Sequence, residues 1–114
     1  MTEIKIPRQA DEMDEALSEW ESAIDKFCVK QYEYAQLESI HKAYEASMKK
    51  TYMDSGMSAT KAETEVRARD KWLEAMEDLN QKMIEAERYK RLCRLAEAKW
   101  ETARSKYASL RNLK

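Results

Sequence analysis

Glycine and proline are almost absent from this chain of 114 residues, which has one of each, Gly56 and Pro7. These two residue types mark turns and breaks, so their positions divide the chain into a short N-terminal segment and two long stretches that meet near the middle. Long stretches without breaks are typical of long helices, and they leave few of the loops on which active sites are usually assembled. We therefore expect a binding or assembly protein rather than an enzyme.

Long apolar runs are missing too. No run approaches 18 residues, which excludes a membrane-spanning helix from our expectations, and the N-terminus lacks the charged and apolar blocks of a signal peptide. The two cysteines, Cys28 and Cys93, make no zinc pattern with the single histidine. We expect both cysteines to be buried and reduced in a cytoplasmic protein, with a cross-helix disulfide as the alternative, and we expect no cofactor and no metal.

The sequence contains no recognisable set of catalytic groups. A catalytic triad needs a nucleophile, a base and an orienting group, and the only histidine, His41, lies in the middle of a predicted helix. We place His41 on an exposed helix face. There is no Gly-rich phosphate loop, and acidic neighbours such as Asp14 and Glu15 point in different directions on a helix. These observations argue against an enzyme.

The residues that are present are those of helical proteins. Charged residues make up 38% of the chain and hydrophobic residues 43%, which is too apolar for a disordered chain and consistent with one domain at most. We predict an all-α fold, a long antiparallel helical hairpin of coiled-coil type with a short helix at its elbow. Because such a hairpin has a thin core, we also predict a homo-oligomer.

The breaks in the pattern give approximate helix bounds. We predict a flexible segment over residues 1–7 and a single helical domain over 8–114, with helices over about 8–53, 59–68 and 70–110. Gly56 is expected to end the first helix in a left-handed conformation. Thr60 is the expected N-cap of the second helix, paired with Glu63 in a capping box, and Ser58 is the alternative. We expect a kink or brief break near residues 69–70.

Apolar residues recur at heptad spacing along both long helices. In the first helix the spacing predicts a seam through Leu17 and Ile24, followed by a three-residue offset and a second run through Ile40. In the last helix the spacing predicts a seam through Met83, a similar offset after Ala86 and a second run through Leu92 and Leu110. We expect the seam to form the core or an oligomer contact, and its main members are Trp20, Ile24, Phe27, Trp72, Met76 and Trp100.

Charge is distributed unevenly although the net charge is only −1. Residues 1–30 hold 8 acidic and 4 basic side chains, whereas residues 88–114 hold 9 basic and 2 acidic ones. This asymmetry indicates either an acidic partner for the C-terminal end or pairing of one end of the chain with the other.

Two basic features are candidates for nucleic-acid binding. Lys49 and Lys50 precede the central turn next to Tyr52, where the lysines could hold a phosphate and the ring could stack on a base; they could equally complement the helix dipole. The second feature is a C-terminal stripe, in which the planar fork of arginine suits phosphate contact. Its alternative is a solvated face, or pairing with the acidic start of the first helix. The stripe consists of Lys90, Arg94, Arg104 and Arg111.

The order of these features resembles a group of small phage proteins. The first helix ends in the run from Tyr44 to Tyr52, the turn Met53–Gly56 and a short Ala/Glu-rich helix follow, and the last helix ends in the run from Ala103 to Arg111. This pattern is similar to the recombination mediators of T-even phages, the UvsY type. The resemblance implies rings of helical subunits that bind single-stranded DNA and help to load a recombinase onto DNA covered by single-strand-binding protein. It places Lys49 and Lys50 at the DNA-contacting position, although the mediators space these basic residues by one.

Three functions remain open from the sequence. The first is a phage-type accessory recombination or DNA-repair protein that binds single-stranded DNA together with a recombinase, annealing protein or single-strand-binding protein. The second is a protein-only adaptor or inhibitor that uses its acidic N-terminal half against a host complex. The third is a structural coiled coil.

Overall fold

The computed structural model describes the backbone of residues 5–112 and the side chains of residues 11–112. It contains three helices, α1 (Lys5–Asp54), α2 (Ala59–Arg67) and α3 (Asp70–Asn112), and no strand within the described residues. α1 begins three residues before the predicted start, so Pro7 lies in its first turn. Proline is tolerated there because the missing N–H has no partner within the helix. Residues 1–4 of the predicted flexible segment lie outside the described residues.

The turn after α1 has the geometry that the single glycine predicts. Gly56 has φ +109°, and no other described residue has a positive φ. Its N–H donates to the carbonyl of Met53 at 3.0 Å, and the N–H of Met57 donates to the carbonyl of Tyr52 at 3.1 Å. These two bonds form a Schellman motif, which satisfies the last carbonyls of α1.

α2 is capped by Ser58 rather than by Thr60. The Ser58 side chain accepts a hydrogen bond from the Lys61 N–H at 3.2 Å, so the predicted capping box of Thr60 and Glu63 does not form. The predicted break before the last helix is present, because α2 ends at Arg67 and α3 begins at Asp70. Two hydrogen bonds span this break, from the Arg69 N–H to the Val66 carbonyl and from the Leu73 N–H to the Arg69 carbonyl, each at 3.1 Å.

The chain divides into two compact units. Unit 1 combines Met1–Val29 with Glu87–Lys114, and unit 2 is Lys30–Ala86. In unit 1, residues 12–19 line one groove with residues 99–106, and residues 18–26 line another with residues 89–92. In unit 2, Lys30 pairs with Glu85 and Glu33 with Lys82. Since partners on α3 fall as those on α1 rise, the two helices run antiparallel in each unit. The fold is the predicted all-α helical hairpin, with α2 in the elbow between α1 and α3.

The seam of α1 is continuous, which corrects the predicted offset. Its less exposed positions follow steps of three and four without interruption, and three residues of the predicted seam are not among them. Leu17, Ile24 and Ile40 are 37%, 40% and 65% exposed. The seam consists of Met13, Ala16, Trp20, Ala23, Phe27, Lys30, Tyr34, Leu37, His41, Tyr44 and Met48.

The seam of α3 is also continuous. Met83, Leu92 and Leu110, which the sequence places on the seam, are 43%, 42% and 39% exposed. Met76 is half-buried, but Ala75 holds the adjacent seam position. The seam consists of Trp72, Ala75, Leu79, Lys82, Ala86, Tyr89, Cys93, Ala96, Trp100, Ala103 and Tyr107.

Side-chain size explains which residues of α1 and α3 form the seams in unit 1. In unit 1 the rings of Trp20 and Trp100 lie 5.3 Å apart, centroid to centroid. On each helix the neighbouring seam positions are alanines, Ala16 and Ala23 beside Trp20 and Ala96 and Ala103 beside Trp100. Small residues leave room for two indoles between the helices, whereas leucine and isoleucine would not. Ile24 is therefore excluded from the intrachain seam.

The core is thin. Among the described side chains, the buried apolar ones are Ala16, Ala62, Val66, Leu79 and Ala86, and three of these are alanines. The chain exposes 8763 Å² to solvent, compared with about 6,500 Å² for a typical folded monomer of its mass.

Both cysteines are free, but they are not buried as predicted. Cys28 is exposed and Cys93 is half-buried, because Cys28 lies outside the α1 seam whereas Cys93 belongs to the seam of α3. Burial, and then the nearby Cys28, raise the pKa of Cys93.

Over the described residues, none of the helices carries an apolar stretch that could cross a membrane.

Candidate nucleic-acid interface at the elbow

The elbow brings two cations, one from the break before α3 and one from the start of α3, into contact with tyrosines at the end of α1. The break between α2 and α3 places Arg69 and Lys71 beside Tyr44 and Tyr52, which project from α1 at a spacing of eight residues. We call these four residues the elbow cluster; all of them lie in unit 2. Sequence reasoning identified only Tyr52 among them, because the approach of Arg69 and Lys71 depends on the angle at the break.

In the elbow cluster one cation is hydrogen-bonded to a tyrosine hydroxyl and the other lies over a tyrosine ring. The Arg69 guanidinium donates a hydrogen bond to the Tyr52 hydroxyl at 2.7 Å, and this bond raises the pKa of Arg69. The Lys71 ammonium lies 5.5 Å from the centre of the Tyr44 ring, within cation–π distance. Basic groups next to aromatic rings suit a single strand, since its phosphates pair with cations and its bases stack on rings.

The cations of the elbow cluster have no acidic partner among the side chains of residues 11–112, where no carboxylate forms an ion pair with Arg69 or Lys71. By contrast, the nearby Arg67 is already neutralised, because it pairs with Glu45 at 3.0 Å and with Glu63 at 2.7 Å. Arg69 and Lys71 can therefore take up a phosphate without first releasing a carboxylate.

The structure separates the two lysines that the sequence places at this site. Lys49 is half-buried and lies 4.0 Å from Glu63, so it turns towards α2. Lys50 is exposed, about 100° further around α1. It makes no ion pair within the described part of the chain, whereas Tyr52 belongs to the elbow cluster. The predicted site is thus divided between the two sides of α1.

The C-terminal basic stripe lies in unit 1. Its members Lys90, Arg94, Arg104 and Arg111 are all exposed. Arg104 pairs with Glu101 at 2.8 Å and lies 5.3 Å from the centre of the Trp100 ring. The other three members form no ion pair with any side chain that the structure describes. The cross-helix ion pair of this unit joins Lys99 to Glu19 at 2.9 Å, so pairing between the chain ends does not use the stripe.

His41 is buried, which corrects its predicted place on an exposed face. It is only 6% exposed, and its ring centre lies 5.1 Å from that of Trp72. The reason is its position on the α1 seam, seven residues from both Tyr34 and Met48. Neither ring nitrogen has a hydrogen-bond partner among the described residues, and the same is true of the shielded Tyr44 hydroxyl.

Glu45 is the centre of a hydrogen-bond network beside His41. Its carboxylate accepts from the Trp72 indole N–H at 3.1 Å and from the Arg67 guanidinium at 3.0 Å. Burial acts to raise the pKa of Glu45, but the bonds from Trp72 and Arg67 and the nearby positive charge outweigh it and lower that pKa. Glu45 therefore stays ionised and ties α1 to both α2 and α3.

A similar bond lies on α1 about two turns before Glu45. The Tyr34 hydroxyl donates to Glu38 at 2.9 Å, which lowers the pKa of Glu38 and raises that of Tyr34.

The described residues contain no group of three or more His, Cys, Asp or Glu side chains that could hold a metal ion.

Comparison with known proteins finds no matching family model, no matching curated protein and no matching solved structure. The resemblance to the phage recombination mediators stays a prediction from the sequence.

Proposed function

We propose that this chain is a phage-type accessory protein of recombination or DNA repair that binds single-stranded DNA as a homo-oligomer. It would help to load a recombinase or an annealing protein in the host cytoplasm. The observation that carries the proposal is the elbow cluster, where Arg69 bonds to the Tyr52 hydroxyl and Lys71 lies over the Tyr44 ring, with no carboxylate partner among the described side chains. The exposed basic stripe on α3 offers further phosphate contacts.

Self-association is supported by the thin core and the large exposed surface. The excess of about 2,200 Å² over a typical monomer is more than the roughly 1,000 Å² that one subunit contributes to a homodimer interface of about 2,000 Å² in total. Assembly would also compensate for the weak charge of one subunit. Several small basic sites on one strand raise avidity by about 10²–10⁴ without any new contact.

Fluorescence anisotropy with a labelled single-stranded oligonucleotide tests the DNA site. We expect binding at low salt that weakens as salt rises, because phosphate contact releases counterions. The double variant R69A/K71A should weaken binding tenfold or more and lower the slope of log K against log salt by about 2. The matched control R88A/K106A removes the same charge from exposed positions outside the stripe.

Two outcomes would overturn the proposed DNA site. One is the absence of salt-sensitive binding at low salt. The other is an equal loss of affinity in R88A/K106A, which would assign binding to overall charge rather than to the elbow cluster.

A protein-only adaptor or inhibitor is the second candidate. It is favoured by the exposed carboxylates at the start of α1, since Asp11, Asp14 and Glu15 form no ion pair with any described side chain. Neutralising these three residues and Glu19 should abolish partner binding in this case. It should leave oligonucleotide binding intact if the DNA proposal holds. If the chain oligomerises but binds neither a protein partner nor an oligonucleotide, the remaining hypothesis is a structural coiled coil.

A further inference from the structure

A groove between α1 and α3 in unit 2 contains a buried side chain, His41, whose polar atoms neither the seam nor the elbow cluster uses. The groove has a volume of about 410 Å³, within the range of about 300–1,000 Å³ that is typical of small-molecule sites. His41 lines it together with Tyr34, Glu45, Trp72, Asn80 and Met83. We call it the His41 groove.

His41 is an unusual residue for a helix seam. The imidazole is more than nine-tenths buried, and neither nitrogen has a partner among the described residues. Each unpaired buried polar group costs about 1–3 kcal/mol, whereas an apolar residue at the same position would cost nothing. Departures from stable packing, such as a buried polar side chain without a partner, are expected mainly at functional sites. His41 therefore marks this groove as a candidate binding site.

The charges of the groove restrict what it can hold. Two carboxylates and two cations line it, and they neutralise one another: Glu38 with Lys42 at 3.4 Å and Glu45 with Arg67 at 3.0 Å. The groove therefore offers no free charge to an anion such as inorganic phosphate or to a free ammonium group. A neutral ligand fits this balance.

The walls and the polar groups favour a flat ring. Tyr34 and Trp72 supply aromatic surface, and Met76 and Met83 are flexible side chains that adapt to a ligand. A neutral imidazole has one donor and one acceptor, and the Asn80 amide has both. The edge of a nucleobase presents donors and acceptors side by side, and its face stacks on aromatic rings.

From these features we infer that the His41 groove binds a nucleobase, with the ring against Trp72 and its polar edge on His41. The inference rests on the proposed function, because the bound single strand supplies the base. The His41 nitrogens are shielded from solvent, so a base enters only when a groove side chain moves.

Because His41 is the only histidine, its ring signals in NMR spectra are unambiguous. We would titrate the full chain with free nucleosides and record the His41 ring and the Met76 and Met83 methyl groups. We expect saturable shifts at all three residues. Neither inorganic phosphate nor ribose should cause them. In H41L, where the groove keeps its apolar walls, the methyl shifts should show a loss of nucleoside affinity of tenfold or more.

The failure of this inference is distinguishable from the failure of the DNA proposal. Nucleosides that shift none of the three residues would overturn the nucleobase site, even if oligonucleotides bind through the elbow cluster. Equal shifts with phenol would overturn it too, since a ring without a base's polar edge would then suffice. The variant R69A/K71A should lose oligonucleotide affinity and keep its nucleoside shifts, and nucleoside shifts that vanish in it would contradict a separate groove site.

Discussion

The indole of Trp20 on α1 lies against the indole of Trp100 on α3, with 5.3 Å between ring centroids and an angle of 36° between ring planes. Tilted aromatic pairs at this distance contribute more than their buried area alone. In a unit whose other seam residues include four alanines, this pair supplies much of the contact between the helices.

Replacing Trp20 by alanine should lower the free energy of unfolding by about 2–4 kcal/mol, because it removes the largest contact of unit 1 and leaves a cavity. Urea unfolding followed by circular dichroism measures the change. The control is Y32A at a ring that is 63% exposed, where the change should stay within about 0.5 kcal/mol. Similar values for the two variants would contradict the role assigned to Trp20.

Replacing His41 by leucine should raise the free energy of unfolding by about 1 kcal/mol. The substitution removes two buried polar atoms without partners and keeps a side chain of similar volume in the seam. Thermal unfolding is the measurement. H41Q, which retains buried polar atoms, should show no gain; a leucine variant less stable than wild type would mean that the imidazole has a partner in solution.

Replacing Glu45 by glutamine should destabilise the protein by about 1–3 kcal/mol at about pH 7, because the bonds from Trp72 and Arg67 prefer a carboxylate. The pKa of Glu45 is below its ordinary 4.5 in the folded protein. The carboxylate therefore stabilises the fold above that ordinary value, and its contribution is lost as pH falls through the folded pKa.

Unfolding of wild type and E45Q at about pH 7 and about pH 3 tests this linkage, since the difference between them should shrink at the lower pH. E74Q changes an exposed carboxylate and serves as the control. If the difference in unfolding free energy between wild type and E45Q is the same at both pH values, the hydrogen bonds of the Glu45 carboxylate are not its cause.

Replacing Gly56 by alanine should lower the free energy of unfolding by about 1–2 kcal/mol, because φ +109° is strained for any residue with a Cβ atom. A Cβ atom at this position meets nothing within 4 Å, so the cost comes from the backbone alone. Denaturant titration gives the value. D54A, at the last residue of α1, is the comparison and should change stability by no more than about 0.5 kcal/mol.

The helices and their bounds follow from local chemistry and could be read from the sequence. Gly56 ends α1 as predicted because only glycine adopts its backbone angle without strain. The capping residue of α2 was harder to assign, since Ser58 and Thr60 both precede a run that can form a helix. Ser58 caps because the Schellman turn brings the chain out of α1 at Met57, which leaves Ser58 as the first residue able to start α2.

The choice of seam and most of the candidate site could not be predicted in this way. Leu17 and Ile24 are the more hydrophobic residues, but Ala16 and Ala23 occupy the seam because the partner helix presents Trp100 there. The sequence likewise predicts an exposed His41, because hydrophobicity alone gives no reason to bury a histidine. Arg69 and Lys71 reach the two tyrosines because of the angle between α2 and α3 at the break. This angle cannot be predicted from residue spacing along the chain.

The sequence by itself determined that this chain forms long helices and where they are interrupted, because helix propensity, capping and the scarcity of glycine and proline act within a few residues. Only the tertiary structure decided which stripe of each helix is buried, because burial depends on whether side chains from two helices fit between their axes. The same contacts leave the imidazole of His41 without a hydrogen-bond partner among the described residues, and they bring Arg69 to the Tyr52 hydroxyl and Lys71 over the Tyr44 ring.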